Sequence, residues 1–195
     1  VKAFAEEIKN LHGEDIQADR HYVRMVNDKA FERVTGYFKD GNIIYGGRTD
    51  AATRFIEPTL IENVPLDSPL MTEEIFGPVF PIVTFEDNFK ERVIEFVTSR
   101  EKPLAFYYFG KESDGWEIIR RTSSGGGCII FFFFYIANEN VPFGGVGNAG
   151  MGRYHDKDSF DAFSHTRSII ATGTWIDLPF RYMPYKMFGL VKKIL

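Results

Sequence analysis

The 195 residues contain one cysteine, Cys128, so no disulfide can close within the chain and a cysteine-based zinc site has no basis. Four histidines, His12, His21, His155 and His165, show no His-x-x-x-His pairing, and a metal site has no support. Charge of one sign is also scarce. Charged residues make up 26% of the chain and the net charge is −4, without the basic footprint that a nucleic-acid backbone requires. No apolar run reaches the roughly 18 residues of a membrane span, and the N-terminus lacks a basic, apolar, small-residue signal pattern. These absences lead us to expect an intracellular protein, cytoplasmic or at the cytoplasmic face of a membrane. Internal repeats and low-complexity linkers are missing too, and the length suits one domain around one core.

What is present is periodic. Val1, Phe4, Ala5, Ile8 and Leu11 recur at helical spacing, with Gly13 placed as a C-cap. Ala30, Phe31, Val34, Tyr37 and Phe38 mark a second helix, ended by Asp40-Gly41, and "NIIY" then reads as a strand. "FIEPTLI" carries a proline and is predicted to be an edge or irregular strand. From "PVFPIVTF" onward strands and helices alternate. "NFKERVIEFVTSR" is an amphipathic helix, "PLAFYYFG" a strand, "SDGWEIIRRTSS" a helix capped by serine or aspartate, and "GCIIFFFFYI" a long buried strand. Continuously apolar strands are usually covered on both faces, which predicts an α/β core with parallel pairing. "RSIIATGTW" is a late strand outside that alternation. The tail "YMPYKMFGLVKKIL" mixes apolar and basic residues, and either lies on a membrane surface or packs on its own domain or a partner.

Gly145, Gly147 and Gly150 fall in the G-x-G-x-x-G spacing of a pyrophosphate loop. That loop needs a strand running straight into the first glycine and a helix starting near the last. Here "ANENVPF" intervenes before it, and "MGRYHDKDSFDAFSH" follows without an apolar helical stripe. A tight glycine turn is therefore expected rather than a phosphate site.

The runs "MTEEIFGPVFPIV", "REKPLA", "SSGG" and "PFGGVGNAGMGRYH", with "YGGRTDAATRFIEPTL" and "SFDAFSHTRS", resemble the C-terminal part of an aldehyde dehydrogenase of the class 3 and fatty aldehyde dehydrogenase branch. The likeness runs from about residue 10 to residue 185. It implies a three-layer, Rossmann-like α/β catalytic domain with a parallel sheet over residues 1–165, and an oligomerisation strand and tail over 166–195 that join two copies as a homodimer. It also implies a chemistry. A cysteine thiolate attacks the aldehyde, hydride passes to NAD or NADP, and a glutamate-activated water releases the carboxylic acid; medium- and long-chain aldehydes are the expected substrates.

In that family the nucleotide-binding domain, the nucleophile and the general base precede the matching segment, so no catalytic residue is expected in this chain and alone it should be inactive. Cys128 lies in a predicted buried strand without a histidine or lysine nearby in sequence, and is read as a small core residue. Glu73 and Glu74 read as solvated turn acids on their own. By resemblance Glu74 accepts hydrogen bonds from the nicotinamide ribose, Phe76 packs at the nicotinamide end, and Phe143 lines the aldehyde tunnel.

The chain departs from the branch in two places. Ile130 and Phe131 stand where relatives carry Asn-Asp, and Tyr135 where a histidine is common. Asp156 stands where the branch has glycine. The apolar replacements keep open an alternative, a non-catalytic interaction or structural module derived from the same fold.

Overall fold

In the computed structural model, which describes residues 1–132, 134–175, 182–184 and 187–193, the opening helical stripe forms α1 (Lys2–His12), closed by Gly13 at φ 79°. Its Phe4 ring meets Tyr45 and Phe80 edge-on, at 5.4 and 5.9 Å between centroids. The second stripe forms α2 (Asp28–Gly36). Asn27 caps it by accepting the Ala30 N–H at 2.8 Å, and Tyr37–Lys39 continue it as a 3-10 turn.

The first sheet follows from the strands around residue 60. β1 (Asn42–Tyr45) runs antiparallel to β4 (Thr59–Glu62), and β4 runs parallel to β5 (Val79–Ile82), with Thr59 opposite Val79. Between them β2 (Thr49–Asp50) and β3 (Phe55–Ile56) make a separate antiparallel pair, and α3 (Pro69–Thr72) precedes β5. The edge reading of "FIEPTLI" is corrected here: β4 is the central strand, in the order β1-β4-β5, and Thr59, Leu60 and Ile61 are buried. Pro58 falls between β3 and β4, so the missing donor interrupts the connection and leaves the ladder of β4 intact. Phe31, Val34 and Tyr37 of the helical segment pack against Ile56, Ile61 and Val79, and this is the core of the first unit. Each such side chain contributes about 1.5–3 kcal/mol on burial.

The expectation of one core is also corrected, because the chain divides into two compact units, Val1–Val93 and Ile94–Leu195. The division falls inside α4 (Phe89–Thr98). Periodicity assigns an element its type but not its pairing partner. In the second unit β6 (Ala105–Tyr108) runs parallel to β7 (Gly126–Ile129), with Tyr107 opposite Cys128, and α5 (Glu112–Arg121) is the crossover. The parallel crossover agrees with the α/β expectation, and α5 buries Ile118 completely. Its cap differs from the reading: Lys111 holds the N-cap without a side-chain bond, while Glu112 and Asp114 lie in the first turn, where acids favour the helix dipole.

The long buried strand expected at "GCIIFFFFYI" is shorter and less covered. β7 stops at Ile129, Ile130 turns into the left-handed region at φ 63°, and Ile130, Phe131 and Phe132 are all more than half exposed. An apolar run does not set strand length; the reversal at Ile130 does. Beyond it come α6 (Phe134–Ala137), a 3-10 turn at Gly147–Ala149, α7 (Asp156–Ala162) and α8 (Phe188–Val191). Residues 167–175, expected as a strand, are exposed and carry no strand within this chain. The tail from Tyr182 onward lies partly outside the described residues. Among the described residues no helix is long and apolar enough to cross a membrane, and no group of acids, histidines and cysteine is arranged to hold a metal.

Candidate functional site

Glu74 and Phe76 lie in the loop between α3 and β5, and α2 dictates the shape of that loop. Arg33 of α2 donates through Nη1 to the Glu74 carbonyl at 3.2 Å and through Nη2 to the Ile75 carbonyl at 2.7 Å. The same guanidinium donates to Tyr37 Oη, and Tyr37 Oη donates to Glu73 Oε2 at 2.7 Å. Burial, and then the Glu73 carboxylate, push the Tyr37 hydroxyl above its usual range. Glu73 is thus part of the loop's attachment and not merely a solvated acid.

Two backbone features complete the loop. Phe76 sits at φ 42°, a conformation costly for a bulky side chain. Gly77 follows against α2 so closely that a Cβ there would lie 2.8 Å from Val34 Cγ1 and 2.9 Å from Cγ2. The result is a Phe76 ring 75% exposed and a Glu74 carboxylate that is exposed and takes no hydrogen bond or ion pair from the described residues.

Beside Phe76 opens a cavity of about 520 Å³ lined by Tyr22, Met25, Val26, Ile56 and Pro78 among others. Its wall is held from within. Tyr22 Oη donates to the Ile56 carbonyl at 2.7 Å, and Arg24 donates to the carbonyls of Tyr22 and Gln17 at 2.7 and 2.6 Å. Burial pushes the Tyr22 hydroxyl up to about 12. A concave apolar wall with a few fixed polar groups at its margin is the usual form of a small-molecule site.

Phe143 belongs to the second unit. Its backbone exchanges hydrogen bonds with Tyr154 at 3.0 and 2.9 Å, and its ring lies among Tyr135, Tyr154 and His155. His155 Nδ1 donates to the Val141 carbonyl at 2.8 Å, which fixes the ring orientation. Burial, and then Tyr107, push the Tyr135 hydroxyl up to about 12.

Next to this cluster the glycine spacing resolves into a turn. Gly147 opens a three-residue 3-10 turn, and a Cβ on Gly145 would fall 2.1 Å from the Ala149 carbonyl oxygen. No helix of useful length begins there, and a phosphate has no row of amide donors to meet. Asp156 lies at φ 38° after His155 at φ 101°, left-handed backbone that glycine adopts more readily than either residue. Cys128 is half-buried in β7, on the wall of a cleft of about 590 Å³ with Phe106, Trp116 and Ile119.

The periodicity of α2 pointed to its apolar face and missed Arg33. The signal was present: a cation inside the stripe, four residues before a tyrosine, so that both lie on one face.

Comparison with known proteins gives the family. Residues 1–169 match the family described as "Aldehyde dehydrogenase family". The chain is 39% identical to "Aldehyde dehydrogenase family 3 comG" of Dictyostelium discoideum, over 97% of this chain and 40% of that protein. It is 40% identical to 4,4'-diaponeurosporen-aldehyde dehydrogenase of Staphylococcus aureus, over 95% of this chain and 41% of that protein. It is 43% identical to "Aldehyde dehydrogenase, dimeric NADP-preferring" of Rattus norvegicus, over 87% of this chain and 37% of that protein. Among solved structures, Staphylococcus aureus AldH in its substrate-bound state superimposes with a TM-score of 0.85 at 39% identity, covering 99% of this chain and 43% of that one. The chain therefore spans about 40% of the length of these relatives.

Proposed function

The chain belongs to the aldehyde dehydrogenase family, with class 3 relatives, and from that premise we propose that it is the catalytic-domain portion of an enzyme that oxidises medium- or long-chain aldehydes. The reaction consumes an aldehyde, water and NAD(P)+, and gives the carboxylic acid, NAD(P)H and a proton. The observation that carries the reading is the exposed Glu74 carboxylate, unpaired among the described residues, beside the exposed Phe76, on a loop tied to α2.

The residues present fit a nicotinamide nucleotide. A carboxylate with open acceptor positions suits the paired hydroxyls of a ribose, and an exposed aromatic face next to it suits the nicotinamide end. When bound, the nicotinamide supplies the hydride acceptor. Glu74 orients its ribose, Phe76 limits where the ring can lie, and Phe143 lines the path of the hydrocarbon chain. The nucleophilic thiolate and the general base come from polypeptide outside these 195 residues, and Cys128 takes no part. Two copies associate, by analogy with the rat relative, which is named dimeric, and residues 166–195 are the segment proposed to join them.

The experiment is an NAD(P)H assay with aldehydes of graded chain length. The longest natural polypeptide containing these residues turns over, and the 195-residue chain alone produces no NAD(P)H. Robust turnover by the short chain would contradict the division of labour. A second reading, a non-catalytic interaction module, is favoured by the exposure of the apolar Ile130 and Phe131. Absence of turnover by the longest polypeptide with every aldehyde and both nucleotides selects it.

A further inference from the structure

Nothing in the sequence of the loop itself keeps Glu74 and Phe76 where they are. The loop is irregular, Phe76 occupies a backbone region that bulky residues hold only when their surroundings enforce it, and both key side chains project without support from each other. The enforcement comes from a single guanidinium. Arg33 donates to two successive carbonyls of the loop, Glu74 at 3.2 Å and Ile75 at 2.7 Å, which lie immediately before Phe76. It reaches the loop a second time through Tyr37, whose hydroxyl donates to Glu73 at 2.7 Å and whose ring lies 5.6 Å beneath the guanidinium. Three consecutive loop residues are therefore bound to α2 and the 3-10 turn that continues it. The planar fork of arginine is needed for this, because a lysine ammonium is a point donor and cannot span two carbonyls and a phenol in fixed directions.

We infer that Arg33 is the positioning residue of the cofactor-contacting loop: through the Glu74 and Ile75 carbonyls it sets where the Glu74 carboxylate and the Phe76 ring meet a nicotinamide nucleotide. The inference rests on the proposed role of Glu74 and Phe76 and adds a residue that acts through the loop backbone. Its consequence is kinetic. A misplacement on the order of 1 Å in a reacting geometry costs up to about 100-fold in rate, so loosening the loop slows hydride transfer even where the fold survives.

The test uses the longest natural polypeptide containing this chain, with Arg33→Lys, Arg33→Met and Glu74→Gln compared with wild type. Steady-state kcat, KM for NAD(P)+ and the isotope effect from an aldehyde deuterated at the carbonyl carbon are measured, with a thermal melt of each protein. Arg33→Met is expected to lower kcat by roughly 10- to 100-fold and to raise the isotope effect, with Arg33→Lys recovering part of the loss. If Arg33→Met does not fold, Arg33→Lys and Tyr37→Phe carry the same readouts. Wild-type kinetics in the arginine variants beside an impaired Glu74→Gln would overturn the positioning role and leave the cofactor reading standing. Activity lost only in proportion to the folded fraction, with an unchanged isotope effect, would overturn it as well. Wild-type kinetics in Glu74→Gln would remove the cofactor reading, and the inference with it.

Discussion

Phe76 and Ile130 are both large apolar residues, both exposed, and both in left-handed backbone, at φ 42° and 63°. Their surroundings differ. Phe76 is preceded by two carbonyls held by Arg33 and followed by a glycine fitted against Val34. Ile130 donates its N–H to the Tyr108 carbonyl at 2.7 Å, the last bond before the chain leaves β7, and the exposed Phe131 and Phe132 follow it. Exposure and strain alone do not mark a site. What distinguishes the Phe76 loop is that buried structure is arranged to hold an unfavourable conformation in place, beside a carboxylate with no partner among the described residues.

The largest expected effect breaks the first side of this comparison. Gly77→Ala drives a methyl into Val34 and should destabilise the protein by about 1–3 kcal/mol in urea unfolding. Val34→Ala in the same molecule should recover part of that loss, and strict additivity of the two would show that the loop is not seated on α2.

Next, the two left-handed residues can be exchanged for glycine. Relief of about 1–2 kcal/mol of backbone strain, less about 0.5–1 kcal/mol for the flexibility of glycine, predicts a small gain in stability for both Phe76→Gly and Ile130→Gly. Only Phe76→Gly should also raise KM for NAD(P)+. Equal kinetics in the two variants would erase the contrast.

A smaller effect concerns solubility. Phe131→Ser should reduce light scattering on concentration, because it interrupts an uncharged aromatic run. Unchanged scattering would mean that this run is covered in solution.

The smallest effect lies away from both regions. His12 Nδ1 meets Asp19 Oδ2 at 2.6 Å, and this bond, followed by the His21 N–H, holds the Asp19 carboxyl below its usual value of 3.8. A depressed carboxyl contributes stability that is present above that unfolded value and is lost as pH falls through the folded one. Thermal melts should therefore show a drop below about pH 4 that is shallower in Asp19→Asn. An identical acid slope in the variant would exclude this pair as its source.

Much of the local structure was legible in the chain. The stripes of α1 and α2, the strand "NIIY" and the crossover from β6 through α5 to β7 follow from periodicity and from capping residues such as Asn27. The glycine spacing at 145 to 150 was legible as a turn because its flanks have the wrong composition for a phosphate loop. Pro58 misled, because a proline near a strand reads as an edge signal although it falls just outside β4. The phenylalanine run misled as well, because hydrophobicity does not tell where a strand reverses. The candidate site was half legible: Glu74 and Phe76 came from resemblance, whereas Arg33 shows in sequence only that it shares a helix face with Tyr37, and the loop it holds lies 41 residues away.

The sequence by itself determined the helices α1 and α2, the strand β1 and the crossover from β6 through α5 to β7, and it determined the family, since side-chain period and ordered motifs are properties of neighbours along the chain. The tertiary structure alone decided which strand is central, where β7 ends, and that a helix some 40 residues upstream grips the Glu74 loop. Those outcomes depend on hydrogen bonds and close packing between residues distant in sequence, which become favourable only when folding brings both partners together.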